Sequence, residues 1–259
     1  MPFANLPDAK VHYEWSGAEH LPVLVLCNGL GTNLSMWDRQ VAQFSEHFRV
    51  LRYDGRGHGQ SEVTPGPYTI EQLSRDVVRL LDALNIGRAH FCGLSMGGLI
   101  GMFLATNEAK HFRKIILSST AAKIATADVW NTRIQSVQSG GMQAVASTVM
   151  ARWFTSSYRA AHPEDMRSVL AMLESTDPQG YTASCAAVRD SDQRDTVKDI
   201  QLPCLVVVGA EDPGTPPPEA RFLTNAISGS IYAEFPASHL CNIEVSDKFN
   251  HRVLQFLLA

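Results

Sequence analysis

The chain has 259 residues and a mass of 28.4 kDa, a length that suits one large core with a modest insertion better than two full domains. Hydrophobic residues make up 45% and charged residues 19%, which supplies ample core and excludes a disordered chain. Lysine and arginine number 22 against 26 acidic residues, a net charge of −4 with no basic run, so no nucleic-acid partner held by phosphate contacts is expected.

The chain starts MPFANLPDAK, with no basic segment running into an apolar one, so no secretory signal is expected. Val11–Trp15 is placed to pair with the N-terminal residues as a hairpin. Short β-prone runs follow at Val23–Cys27, Val50–Tyr53, His90–Gly93 and Lys114–Leu117, each ending in a loop. Between them, Thr69-Ile70-Glu71-Gln72 has the form of a capping box. Leu73, Val77, Leu80, Leu81 and Leu84 then recur with helical period, a stripe meant for burial. This strand–helix alternation predicts an α/β fold with a mostly parallel central sheet flanked by helices. Its functional loops should lie at the C-terminal ends of the strands.

The rhythm breaks near Ala121. From there to about Asp192 no strand pattern occurs, and four helical pieces are expected: Asp128–Gln138, Met142–Phe154, Pro163–Ser175 and Gln179–Asp190. Met142, Val145, Val149 and Trp153 share one face of the second. Gly140-Gly141, Ser156-Ser157 and Asp177-Pro178 punctuate the series. The expected division is a core of residues 1–120 and 193–259 with an all-helical cap of residues 121–192. Strands are expected again at Leu202–Gly209 and Ile231–Phe235, and a last amphipathic helix from about Asp247 to the end. Apolar runs such as Leu205–Val208 are far shorter than the roughly 20 residues of a membrane span, so no membrane partner is expected. Five cysteines without C-x-x-C spacing suit reduced, buried thiols in a cytoplasmic protein.

The strongest chemical signal is Gly93-Leu94-Ser95-Met96-Gly97-Gly98. It has the G-x-S-x-G form, directly after a predicted strand and before an apolar helix, Leu99–Ala105. A strand that turns this sharply into a helix needs small residues where backbones crowd, and it lifts the serine oxygen above the sheet edge. Ser95 is therefore the candidate nucleophile. A serine hydroxyl needs a base, and the chain order Ser, acid, His favours His239 in Pro236-Ala237-Ser238-His239-Leu240. His58 is the competitor; His90 suits a structural role and His251 a surface one. The acid is expected after the strand Leu205–Val208. Asp212 is preferred, with Glu211 and, in a rearranged triad, Asp54 as rivals. Its task would be to fix the imidazole tautomer and stabilise the imidazolium. Two backbone amides, those of Met96 and of Leu30 in the loop Asn28-Gly29-Leu30-Gly31, are the candidate oxyanion donors.

Along its whole length the chain resembles the α/β-hydrolases, and within them the 3-oxoadipate enol-lactonases of aromatic catabolism. The resemblance rests on Leu30-Gly31-Thr32-Asn33-Leu34-Ser35-Met36-Trp37, on Arg52-Tyr53-Asp54-Gly55-Arg56-Gly57-His58-Gly59, and on the Gly93–Gly98 motif. The second segment is shared by many α/β-hydrolases, whereas the first is more telling. One departure stands out: Asn28-Gly29 occupies the place where many members carry His-Gly. The resemblance implies an α/β-hydrolase fold with a helical cap and hydrolysis of 3-oxoadipate enol-lactone to 3-oxoadipate without metal or organic cofactor. The partner it implies is a small anionic lactone. Such a substrate calls for a fixed cation, for which Arg133 on the first cap helix is preferred over Arg152 on the second; Trp153 is the candidate wall of the pocket. Three alternatives share these features: a general esterase or perhydrolase, a C–C bond hydrolase with the same triad, and a receptor that binds a lactone without turnover.

Overall fold

The computed structural model describes residues 2–259. Its strands are β1 (Phe3–Leu6), β2 (Ala9–Ser16), β3 (Val23–Cys27), β4 (Arg49–Tyr53), β5 (Ala89–Leu94), β6 (Phe112–Ser118), β7 (Cys204–Gly209) and β8 (Ile231–Phe235). They form one sheet in the order β1-β2-β4-β3-β5-β6-β7-β8. The expected hairpin sits at one edge, with Phe3 opposite His12 and Leu6 opposite Ala9. β2 pairs antiparallel with β4, and all later neighbours are parallel. β5 and β7 are buried along their whole length, as central strands covered on both faces must be. β7 begins two residues later than the predicted Leu202, after Pro203, which has no amide hydrogen to give a ladder.

The helices of the first half are α1 (Asp38–Ser45), α2 (Ile70–Ala83) and α3 (Met96–Asn107). At the start of α2, the Thr69 hydroxyl accepts from the Gln72 amide at 3.0 Å. Leu73, Val77, Leu80 and Leu81 are buried behind it, and Leu84 is half-buried at its end. α3 is apolar on every side and almost wholly buried beneath the sheet.

Between β6 and β7 the chain is helical: α4 (Ala127–Gly140), α5 (Gln143–Trp153), α6 (Ser156–Ala161), α7 (Pro163–Glu174) and α8 (Pro178–Asp190). That makes five helices where four are predicted. Ser156-Ser157, read from sequence as a break, opens α6. Thr155 caps that helix by accepting from the Tyr158 amide at 3.2 Å. Tyr158 stacks on Phe154 and His162, with ring centroids 5.4 and 4.0 Å away, and this packing sustains a helix too short to stand on propensity. Met142, Val145, Val149 and Trp153 are all buried, although Met142 lies at the cap of α5 rather than inside it. α9 (Pro217–Ala226), α10 (Cys241–Glu244) and α11 (Ser246–Leu258) complete the chain. All five cysteines are buried and free. Among the described residues, no helix is long and apolar enough to cross a membrane.

Candidate active site

Four loops at the C-terminal ends of parallel strands bring Leu30, Ser95, Asp212 and His239 together. All four line one cavity, whose other walls include Trp130, Arg133, Val149, Arg152, Trp153 and Tyr181 from α4, α5 and α8. Residues separated by up to about two hundred positions in the chain thus share one space, roofed by the inserted helices.

Ser95 follows β5 with φ 59° and ψ −113°, a left-handed conformation that a residue with a side chain adopts only under constraint. Its amide donates to Ser118 O at 2.9 Å, and its carbonyl accepts from the Gly98 and Leu99 amides and from the Thr120 hydroxyl. The motif glycines answer to crowding. A Cβ on Gly93 would lie 2.1 Å from Gly97 O, and one on Gly97 would lie 2.4 Å from Cys27 O. The Ser95 hydroxyl itself makes no hydrogen bond among the described residues and faces the cavity it shares with His239.

His239 Nδ1 donates to Asp212 Oδ2 at 2.7 Å, which leaves Nε2 as the ring's acceptor in the neutral tautomer. Asp212 is 2% exposed and fully engaged. Oδ1 accepts from the Gly214 amide at 2.8 Å and the Thr215 amide at 3.1 Å; Oδ2 also accepts from the Thr215 hydroxyl at 2.7 Å. Burial alone would raise this carboxyl. His239, with the Thr215 hydroxyl and amide, outweighs it and holds Asp212 below the ordinary carboxylate range. Thr215 was not singled out from sequence, although Asp212-Pro213-Gly214-Thr215 has the composition of a turn closed by an aspartate side chain.

The loop after β3 lies against the serine: a Cβ on Gly29 would sit 3.6 Å from Ser95 Cβ. Neither the Leu30 nor the Met96 amide donates to any described residue, so both remain available to an oxygen in the cavity. The Asn28 departure is accommodated. Its side chain donates to Tyr53 O at 2.8 Å and accepts from Trp37 Nε1 at 3.0 Å, tying the loop to β4 and to the turn before α1.

His58, the rival base, supports this loop from behind. Its Nε2 accepts from the Gly31 amide at 3.0 Å, and burial lowers its pKa, in keeping with a neutral ring. Asp54 is occupied elsewhere, bonded to His12 and to the amides of Leu34 and Gln60. Glu211 is exposed beside the buried Asp212. His90 is buried and His251 exposed, as expected.

Of the two arginines, Arg133 stacks over Trp130 with its guanidinium carbon 4.8 Å from the ring centroid. Both Arg133 and Arg152 border the cavity, and neither forms an ion pair with any described residue. Tyr181, on α8 and not expected from sequence, is buried against the loop after β3. A Cβ on Gly31 would lie 3.0 Å from its ring. Burial pushes the phenol up, while both guanidinium groups act the other way, which sets them close to it.

The α/β-hydrolase fold family matches residues 22–244. Among curated relatives, the chain is 41% identical to 3-oxoadipate enol-lactonase 2 of Acinetobacter baylyi, over 95% of this chain and 92% of that protein. It is 38% identical to 3-oxoadipate enol-lactonase 1 of the same organism, over 90% and 88% of the two chains. Among solved structures, the enol-lactonase from Burkholderia xenovorans LB400 superposes with a TM-score of 0.98 at 45% identity, and each chain is covered completely.

Proposed function

Because the chain belongs to the α/β-hydrolase family, we propose that it is a serine hydrolase that opens 3-oxoadipate enol-lactone with water to give 3-oxoadipate. The observation that carries this reading is the convergence of Ser95, His239 and its partner Asp212 on one cavity that two arginines without a carboxylate partner also border. The substrate is that of the enol-lactonases the chain is similar to.

The arrangement supports the following reaction. Nε2 of His239 takes the Ser95 proton as the serine oxygen bonds to the lactone carbonyl carbon, and the carbonyl oxygen becomes an oxyanion held by the Leu30 and Met96 amides. Collapse of this intermediate breaks the bond to the ring oxygen, which leaves as an enol carrying the proton from His239. The enol relaxes to the ketone, and that step opposes ring closure. Water, deprotonated by His239, then bonds to the acyl carbon and releases Ser95. Asp212 keeps Nδ1 protonated and offsets the imidazolium charge in both halves. Residues 121–192 act as the cap, and Arg133 binds the substrate carboxylate, with Arg152 beside it and Trp153 walling the ring.

The test follows loss of the enol-lactone absorbance. Ser95→Ala is expected to lower turnover by about 10⁴-fold or more; a variant as active as wild type ends the hydrolytic reading. A neutral chromogenic ester and a ring-cleavage diketone, run beside the lactone, separate the lactonase from an esterase and a C–C hydrolase. A burst without turnover on every substrate would mark a receptor. Arg133→Ala is expected to raise KM roughly tenfold or more for the anionic lactone and far less for the neutral ester. Equal effects on both would remove Arg133 from the carboxylate site.

A further inference from the structure

The loop carrying His239 is fastened to the cap on both sides of the imidazole. On one side, the Ser238 hydroxyl donates to Arg152 O at 2.7 Å. On the other, the Leu240 amide donates to Trp153 O at 3.0 Å. These acceptors are consecutive carbonyls at the end of α5, and their own side chains wall the cavity. The two attachments meet again at Glu244, on the short helix α10. Its Oε2 accepts from the Ser238 amide at 3.0 Å and from the Thr155 amide at 3.3 Å, and its Oε1 accepts from the Thr155 hydroxyl. One carboxylate therefore joins the residue before His239 to the chain that leaves α5.

We propose that Glu244 is a positioning residue: it clamps the His239 loop to the end of α5, so that the base and the cap wall hold one register across the bound lactone. The proposal rests on the hydrolase reading above. A carboxylate accepts from several donors at once without competing for protons, which is what this junction of two amides and a hydroxyl requires. The clamp touches neither Ser95 nor substrate and acts only through the aim of the imidazole and the placing of Arg152 and Trp153. Misplacement of a catalytic group by about 1 Å costs on the order of 10² in rate, so a small slackening of this junction should be visible in turnover.

The experiment compares wild type with Glu244→Ala, Glu244→Gln and Ser238→Ala. Active sites are counted by stoichiometric labelling of Ser95 with a fluorophosphonate, and kcat is expressed per labelled site. Glu244→Ala is expected to lower kcat per labelled site by about 10- to 100-fold and to slow labelling in the same proportion. Glutamine keeps an acceptor toward the two amides and is expected to restore kcat to within about threefold of wild type. Ser238→Ala loses the hydroxyl's bonds to Arg152 O and, at 3.2 Å, to Glu211 O, keeps the amide bond to Glu244, and is expected to fall between them. Glu244 acting as a fold support alone would reduce the number of labelled sites and leave kcat per site unchanged; that result overturns the clamp. So does a glutamine variant as impaired as the alanine one. Should Glu244→Ala fail to fold, an unchanged kcat per site in Ser238→Ala overturns it instead. Wild-type labelling separates the two readings, since failure of Ser95 to react with the probe counts against the triad itself.

Discussion

The molecule contains two buried histidine–aspartate pairs with the same geometry. His239 Nδ1 lies 2.7 Å from Asp212 Oδ2, and His12 Nδ1 lies 2.7 Å from Asp54 Oδ2. A serine accompanies each. Ser95 shares the cavity of the first pair, whereas the Ser61 hydroxyl beside the second donates to Asp54 O at 2.6 Å and accepts from the His12 amide at 2.9 Å. The difference lies at the second ring nitrogen. His239 lines a cavity beside a strained serine and two free amides, while His12 Nε2 is buried with no partner. A carboxylate touching an imidazole therefore does not identify a catalytic pair. What sets the proposed pair apart is the cavity that its histidine lines together with Ser95.

Exchanging the acids breaks this comparison most severely. Asp212→Asn is expected to cost about 10⁴-fold in kcat, with the urea midpoint little changed, because the asparagine can hold the imidazole in the wrong tautomer. Asp54→Ala should do the opposite. It strips an acceptor from His12 and from the Leu34 and Gln60 amides and is expected to destabilise the fold by about 3 kcal/mol or more, with kcat per labelled site within about tenfold of wild type. Turnover and urea unfolding, measured on both variants, decide the matter. Loss of turnover by Asp54→Ala to the level of Asp212→Asn would make the two pairs equivalent and undo the assignment.

The same contrast explains how much of the site is legible in the sequence. Ser95 stood out because a strand-to-helix turn this tight admits little but glycine at Gly93 and Gly97, a local steric demand that leaves its mark on neighbouring letters. His239 and Asp212, which the structure pairs at 2.7 Å, stand out as candidates by chain order and by a turn-forming acid at a strand end. Most of the sheet was read for a similar reason, since β-prone runs and a capped helix are local patterns. Contacts across the chain leave no such mark. That His58 accepts from the Gly31 amide depends on two residues 27 positions apart in the chain being folded together. Tyr181 reads as one more aromatic on a helix until the loop after β3 packs against it. α6 leaves no pattern in the sequence because its six residues are sustained by Tyr158 stacking on Phe154 and His162, which flank the helix.

A third histidine sharpens the comparison at its weakest point, by showing what burial does without an acid. His90, at the start of β5, packs edge-on against Phe48 with ring centroids 5.5 Å apart, and its Nδ1 is buried without a partner. Burial first, then the charges of Lys114 and Arg113, lower its pKa to about 4. In the unfolded chain the ring titrates near 6.5, so between these values the unfolded state binds more protons than the folded one. The stability contributed by keeping His90 neutral is then complete above about pH 6.5 and is lost as pH falls toward 4. Allowing for partial screening by water, the loss should be on the order of 1 kcal/mol. Urea midpoints recorded from pH 7.5 to 4 should therefore fall more steeply for wild type than for His90→Gln, which carries no titrating group. Asp212 does not confuse the window. Its folded carboxyl titrates below the ordinary range, so its contribution is present above about pH 4 and fades only at more acidic values. Parallel curves for the two proteins would mean that His90 accepts its proton without cost, and that burial without an acid leaves a histidine in this core as free to ionise as one in water.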